Sequence, residues 1–190
     1  SSAASDVYKR QCIMFPISHF NITRTPFYYY DKTLLSNTLA KLIRLAGERN
    51  YHVHYAVKAN ANPEILKLIA ASGIGADCVS GGEIKAALEA GFPAKKIVFA
   101  GVGKADWEIE YALEKKIFCF NVESAEELSV IEELAKKKEN IASIALRINP
   151  NIDAHTHEYI TTGLSENKFG IPIEMLDSIF SQIQRSPHVQ

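Results

Sequence analysis

Lys58 closes the alternating, β-rich segment His52-Val53-His54-Tyr55-Ala56-Val57 and leads into Ala59-Asn60-Ala61-Asn62-Pro63. A lysine amine in a partly apolar pocket loses its proton readily and becomes a nucleophile able to form a Schiff base with a carbonyl. Asp77 stands at the end of a second apolar run, in Gly75-Ala76-Asp77-Cys78-Val79-Ser80-Gly81-Gly82-Glu83. Arg147 ends a third, Ser143 to Ile148. An arginine there is expensive to leave unpaired, and a carboxylate such as Asp77 would satisfy it. On residue types alone the plainer readings stand beside these: Lys58 as a solvated strand-end lysine, and Asp77 as a cap for the helix beginning near Gly81.

The other reactive side chains point to less. His52 and His54 share one strand face, and His155 and His157 form a second pair, but neither has a third ligand nearby. No metal site is expected. Cys12, Cys78 and Cys119 are odd in number, widely spaced and without a C-x-x-C, so neither a disulfide framework nor structural zinc is indicated. Cys78 and Cys119 read as small core residues, and the cysteine usage fits a reducing cytoplasm.

Residues at strand ends must be held by strands, and the sequence supplies five candidates: His52 to Val57, Gly75 to Val79, Ile97 to Ala100, Ile117 to Val122 and Ser143 to Ile148. Amphipathic segments lie between them, the alternation of βα units around a parallel sheet. Asn62-Pro63 is an N-cap with proline at the first helical position, opening a helix to Ala71. Ser80 with Glu83 and Ser124 with Glu127 read as capping boxes. Thr33 to Glu48 carries Leu34, Leu35, Leu39, Leu42, Ile43 and Ala46 at helical spacing, a core-facing stripe. Trp107 to Lys115 and Pro172 to Gln184 complete the helices. A doubly wound sheet would usually carry a glycine-rich phosphate loop after its first strand. Lys-Ala-Asn-Ala-Asn-Pro is found there instead, which favours part of an eight-stranded barrel, whose strand ends form the catalytic face.

Composition agrees with a folded domain: of 190 residues 47% are hydrophobic and 23% charged. Lys+Arg 21 against Asp+Glu 22 leaves a formal charge of -1, so no global positive field exists to hold nucleic acid or an anionic membrane. The longest apolar runs fall far short of the roughly 20 residues of a membrane-spanning helix. No secretory signal opens the chain.

Tyr55-Ala56-Val57-Lys58-Ala59-Asn60 resembles the pyridoxal-phosphate lysine motif of the fold-type III amino acid decarboxylases. Gly75 to Glu83 resembles that family's second-strand motif, and Leu146-Arg147-Ile148-Asn149-Pro150 its fifth-strand arginine motif. His155-Thr156-His157-Glu158-Tyr159-Ile160-Thr161-Thr162-Gly163 and Glu166-Asn167-Lys168-Phe169-Gly170-Ile171 resemble the diaminopimelate branch, as does Thr25 to Asp31 as an entry strand. The resemblance implies an α/β fold, a partial (β/α)8 TIM-like barrel of the alanine-racemase type with about five of eight units present. It implies pyridoxal 5'-phosphate as cofactor, Lys58 as the residue that holds it, and Asp77 and Arg147 beside it. Glu83 is a further cofactor-side candidate and, as the last member of a capping box, equally a structural one. His157 and Lys168 would shape the substrate side. The implied activity is decarboxylation of meso-2,6-diaminopimelate to L-lysine and carbon dioxide by a homodimer. The alternatives are ornithine, arginine or carboxynorspermidine decarboxylase, or a non-catalytic cofactor-binding barrel.

Ser1 to Gln11 (Ser-Ser-Ala-Ala-Ser-Asp-Val-Tyr-Lys-Arg-Gln) is polar and aperiodic, and residues 1–14 read as a non-native or disordered leader. Residues 15–32 are expected as an N-terminal segment holding the entry strand, and 33–190 as an incomplete cofactor-binding barrel. The family's stacking histidine, phosphate-binding glycine loops, Glu-Pro-Gly-Arg segment and C-terminal β-domain cannot be read in the chain. The 190-residue polypeptide alone is therefore expected to be inactive and poorly soluble.

Overall fold

The computed structural model describes residues 16–150 and 169–190. The expected leader, His157 and Lys168 lie outside the described residues. Two units are distinguished, Ser1–Leu35 and Ser36–Gln190.

The first unit contains a short helix, α1 (Ile17–Phe20), followed by an aromatic cluster in which the Phe20 ring lies 5.3 Å from Phe27 and 5.2 Å from Tyr29. Residues 25–31, expected as a strand, are not one. They join no ladder among the described residues. Asp31 Oδ1 accepts from the Leu34 N–H at 2.9 Å and caps the helix α2 (Lys32–Gly47).

The second unit is a parallel sheet wrapped on one side by helices. The strands are β1 (His54–Ala56), β2 (Gly75–Cys78), β3 (Ile97–Phe99), β4 (Cys119–Val122) and β5 (Ile144–Leu146). Between them run α3 (Pro63–Ala71), α4 (Gly81–Ala90), α5 (Asp106–Lys115) and α6 (Ala125–Lys137). The order in space is β1-β2-β3-β4-β5, all pairs parallel. A doubly wound sheet reverses its order at a switch point, whereas a barrel keeps sequence order, so this topology is that of a barrel wall. The wall continues past β5: Ala142 bridges Val189 in parallel, and the Ile144 N–H donates to the Gln190 carbonyl at 2.9 Å. A two-residue ladder, β6 (Ile148–Asn149) with β7 (Ile171–Pro172), follows β5, and α7 (Leu176–Arg185) precedes the 188–190 edge.

Strand alternation separates the two faces. Val57, Ala76, Cys78, Ile97, Phe99, Phe120 and Val122 are buried under the helices. Helix residues Ile84, Leu128 and Ile131 are fully buried against them, each contributing about 1.5–3 kcal/mol. The α2 stripe is only partly covered: Leu39 and Ala46 are buried, but Leu34 and Leu42 are exposed, because helical spacing marks a face without saying what packs on it. Among the described residues no helix is long and apolar enough to cross a membrane.

Gly75 begins β2 in a place without room for a side chain. A Cβ there would overlap the His54 ring and sit 2.5 Å from the Lys96 carbonyl oxygen. The lysine carbonyl is backbone and cannot rotate aside. Gly75→Ala is expected to destabilise the fold by about 1–3 kcal/mol, read as a lower urea midpoint, with an unchanged midpoint contradicting the packing described.

Candidate functional site

Parallel strands open at a common rim, and the residues just past their C-terminal ends form it. After β1 the chain turns through a 3₁₀ segment, Val57–Ala59, so the expected strand stops one residue short of Val57. Val57 is fully buried and anchors the turn, leaving Lys58 exposed. The turn is fixed from both sides. The Tyr55 hydroxyl donates to the Asn60 carbonyl at 3.1 Å, and Asn60 Oδ1 accepts from the Asn62 N–H at 3.0 Å. Asn62 Oδ1 then caps α3, accepting from Glu64 N–H at 3.0 Å and Ile65 N–H at 3.4 Å.

Register places Asp77 directly between Ala56 and Val98, with Val98 beside Cys119. His54, two residues before Ala56, and Asn121, two beyond Cys119, share this face, which the helices do not cover. Asp77 Oδ1 is buried and has no hydrogen-bond partner. Burial raises its carboxyl above the ordinary value, opposed by the charges of Lys58 and then His54. Burial also lowers His54, with Asp77 pulling the other way. Behind them, burial pushes the Cys78 thiol up to about 12, with Glu83 and Asp77 adding to it, which makes Cys78 an inert core thiol.

Arg147 is paired, but not with Asp77 as expected. Its Nη1 lies 3.1 and 3.0 Å from Glu123 Oε1 and Oε2, because Glu123 follows β4, the immediate neighbour of the arginine's strand, whereas Asp77 is three strands away. Glu123 is buried, and the sequence reading missed it. The one cue available was its place directly after an apolar strand. Arg147 also lies over the Phe169 ring at 5.7 Å, and its carbonyl accepts from Ile171 N–H at 2.7 Å. Gly170 makes that approach possible: its φ is +101° and a Cβ would sit 2.9 Å from the Arg147 carbonyl oxygen.

Glu83 sits at the start of α4, where its Oε2 accepts from the Val79 N–H at 2.8 Å while Ser80 Oγ accepts from the Glu83 N–H at 3.2 Å. Glu127 does the same one unit on, accepting from Glu123 N–H at 2.9 Å with Ser124 capping at 3.1 Å. Both carboxylates reach one residue further back than the expected capping box, to the residue before the serine. Glu108, also missed in the sequence, bridges two loops: its oxygens accept from Gly81 N–H at 2.7 Å and Ala105 N–H at 2.9 Å.

Two hollows flank the sheet. One of about 320 Å³ lies at the rim between Ala100, Asn121, Glu123, Leu146 and Arg147. The larger, about 410 Å³, lies at the opposite end, among residues such as Tyr51, His52, Lys95 and Phe118. Lys58, the unpartnered Asp77 oxygen and Arg147 lie towards the rim end of their strands, away from the larger hollow. An aldehyde cofactor with a hydrogen-bond donor fits this donor set, since Lys58 offers an accessible primary amine and Asp77 Oδ1 a buried acceptor lacking a donor.

Residues 36–190 match the family model described as pyridoxal-dependent decarboxylase, pyridoxal binding domain. The chain is 61% identical over 167 residues to a diaminopimelate decarboxylase of Bacteroides thetaiotaomicron, covering 87% of this chain and 43% of that protein. It is similar to the crystal structure of Helicobacter pylori diaminopimelate decarboxylase complexed with L-lysine, with a TM-score of 0.79, 44% identity, and coverage of 91% of this chain and 44% of the other. The corresponding figures for the M. jannaschi diaminopimelate decarboxylase structure are 0.84, 37%, 92% and 42%. The chain thus spans about two-fifths of the length of these relatives.

The Asp77 environment has a sign that can be checked. With its carboxyl raised above 3.8, the folded chain keeps a proton that the unfolded chain has released, so stability falls as pH rises through the window above 3.8. His54, lowered from 6.5, contributes with the opposite sense, its share being lost as pH falls below that value. Asp77→Asn in cofactor-free protein is expected to raise the urea midpoint relative to the unsubstituted chain by an amount that grows from the acid end towards neutral pH. A difference that is flat or shrinks with pH contradicts the burial described.

Proposed function

The chain belongs to the pyridoxal-dependent decarboxylases, and from that membership we propose that it forms the cofactor-binding wall of an enzyme that decarboxylates meso-2,6-diaminopimelate to L-lysine. The observation carrying the cofactor assignment is the buried, unpartnered Asp77 Oδ1 on the face that Lys58 overlooks. The substrate assignment is supported by the relatives' shared name and by the L-lysine bound in the H. pylori structure.

When bound, pyridoxal 5'-phosphate supplies an electron sink for the pair of electrons left as carbon dioxide departs. Lys58 would hold the aldehyde end through its amine and, once displaced by the substrate amine, stand ready to move a proton at Nζ. Asp77 would accept a hydrogen bond through the oxygen that has none, and its negative charge favours a cationic neighbour on that side of the site. Arg147, locked by Glu123, would present a fixed positive charge on the same face, where anionic groups of cofactor or substrate need one. Glu83 serves by holding the Val79–Ser80 turn rather than by offering a free carboxylate. His157 and Lys168 are assigned to the substrate side on sequence resemblance. A homodimer acting in the cytoplasm is part of the same proposal.

Replacing Lys58 with alanine in the complete protein is expected to abolish the bound-cofactor absorbance and lower carbon dioxide release from meso-diaminopimelate by roughly 10²–10⁴-fold. Unchanged turnover in that variant contradicts the assignment. Faster release from ornithine or arginine than from meso-diaminopimelate contradicts the substrate. Cofactor binding without release from any of them leaves a non-catalytic barrel protein.

A further inference from the structure

Lys104 has no part in the chemistry so far, yet it is the most completely engaged cation among the described residues. Its side chain is 1% exposed. Its ammonium donates to the Gly101 carbonyl at 2.7 Å, the Asn121 carbonyl at 2.9 Å and Glu127 Oε1 at 2.5 Å, so that three protons meet three acceptors. These partners come from the loop after β3, from β4 and from the first turn of α6.

The contacts lead to Arg147 in two further steps. Glu127 uses its other oxygen to hold the Glu123 N–H at 2.9 Å. Glu123 in turn takes the Gly101 N–H on Oε1 at 3.3 Å and the Arg147 guanidinium on both oxygens. Gly101 is therefore gripped at its carbonyl by Lys104 and at its N–H by Glu123. Arg147 is half-exposed on the rim, with a side chain 51% accessible, while Glu123 is only 4% accessible. The buried carboxylate is the fixed member of that pair, and Lys104 is what fixes the backbone carrying it.

A buried ion pair is a poor device for stability, because desolvation offsets much of the attraction. It does restrict geometry, since moving any member strands the others without partners. We infer that Lys104 is a positioning residue for Arg147, acting through Glu127 and Glu123 to hold the guanidinium at one place on the rim. The inference rests on the decarboxylase reading for its catalytic consequence, but not for its structural one.

The test uses the complete protein in four forms: unsubstituted, Lys104→Met, Arg147→Met and the double variant. Lys104→Met is expected to loosen Arg147 in cofactor-free protein, seen as a fall in the NMR order parameter of its Nε–H. It is also expected to shift the pH midpoint of the bound-cofactor absorbance and to lower kcat roughly tenfold, with KM changed less than about twofold. In the Arg147→Met background the same substitution should add nothing to the spectral midpoint or to kcat. Effects that add in the double variant, or an Arg147 order parameter unmoved by Lys104→Met, overturn the inference and leave Lys104 a packing residue. Should Lys104→Met fail to fold, Glu127→Gln keeps an oxygen for Lys104 but weakens the grip on Glu123, and the same cycle applies. Unsubstituted protein that binds the cofactor but releases no carbon dioxide from meso-diaminopimelate overturns the proposed reaction, and the Arg147 order parameter then decides the positioning role by itself.

Discussion

In a parallel sheet each strand must return through a crossover before the next can pair, and where spatial order follows chain order the right-handed crossovers set the connecting helices on one side and open the strand ends at one rim. Five strands in unbroken sequence order obey that constraint here. It is why Lys58, Asp77 and Arg147, far apart in the chain, meet on a single surface, and why the opposite surface is filled by apolar side chains beneath α4 and α6.

The rim itself is held by carboxylates placed where backbone N–H groups would otherwise lack partners. Glu83, Glu108 and Glu127 each accept from the N–H of a residue leading into a helix, and Glu108 ties two such loops together. Acidic side chains suit helix N-termini, whose free N–H groups carry partial positive charge. The loops after β2, β3 and β4 are thereby pinned to the helices that follow them. Asp77 Oδ1 is the one buried side-chain oxygen or nitrogen without a partner among the described residues.

Much of this was legible beforehand, for identifiable reasons. The five strands were visible as short apolar runs between capped helices, and Asn62, Ser80 and Ser124 all cap as their residue types and spacing indicated. What escaped were partnerships set by three-dimensional neighbourhood. Arg147 was expected to seek Asp77, but strand order brings Glu123 beside it. Lys104 and Glu108 look like ordinary surface charges in the sequence, and only the packing of loops against helices buries them. The stretch 25–31 has β-forming aromatics and the look of a strand, yet it joins no ladder among the described residues. Gly170 stands in the sequence only as one member of the Glu166 to Ile171 motif, and its positive φ and close approach to the Arg147 carbonyl are visible only in the structure.

The claim on which the account turns is that Lys58 is the residue that holds the cofactor. Reducing the complete protein with borohydride in the presence of pyridoxal phosphate, then mapping the modified peptide by mass spectrometry, tests it directly. The account predicts one stoichiometric pyridoxyl adduct, on Lys58. An adduct on another lysine, or none under conditions where the cofactor absorbance is present, would contradict it.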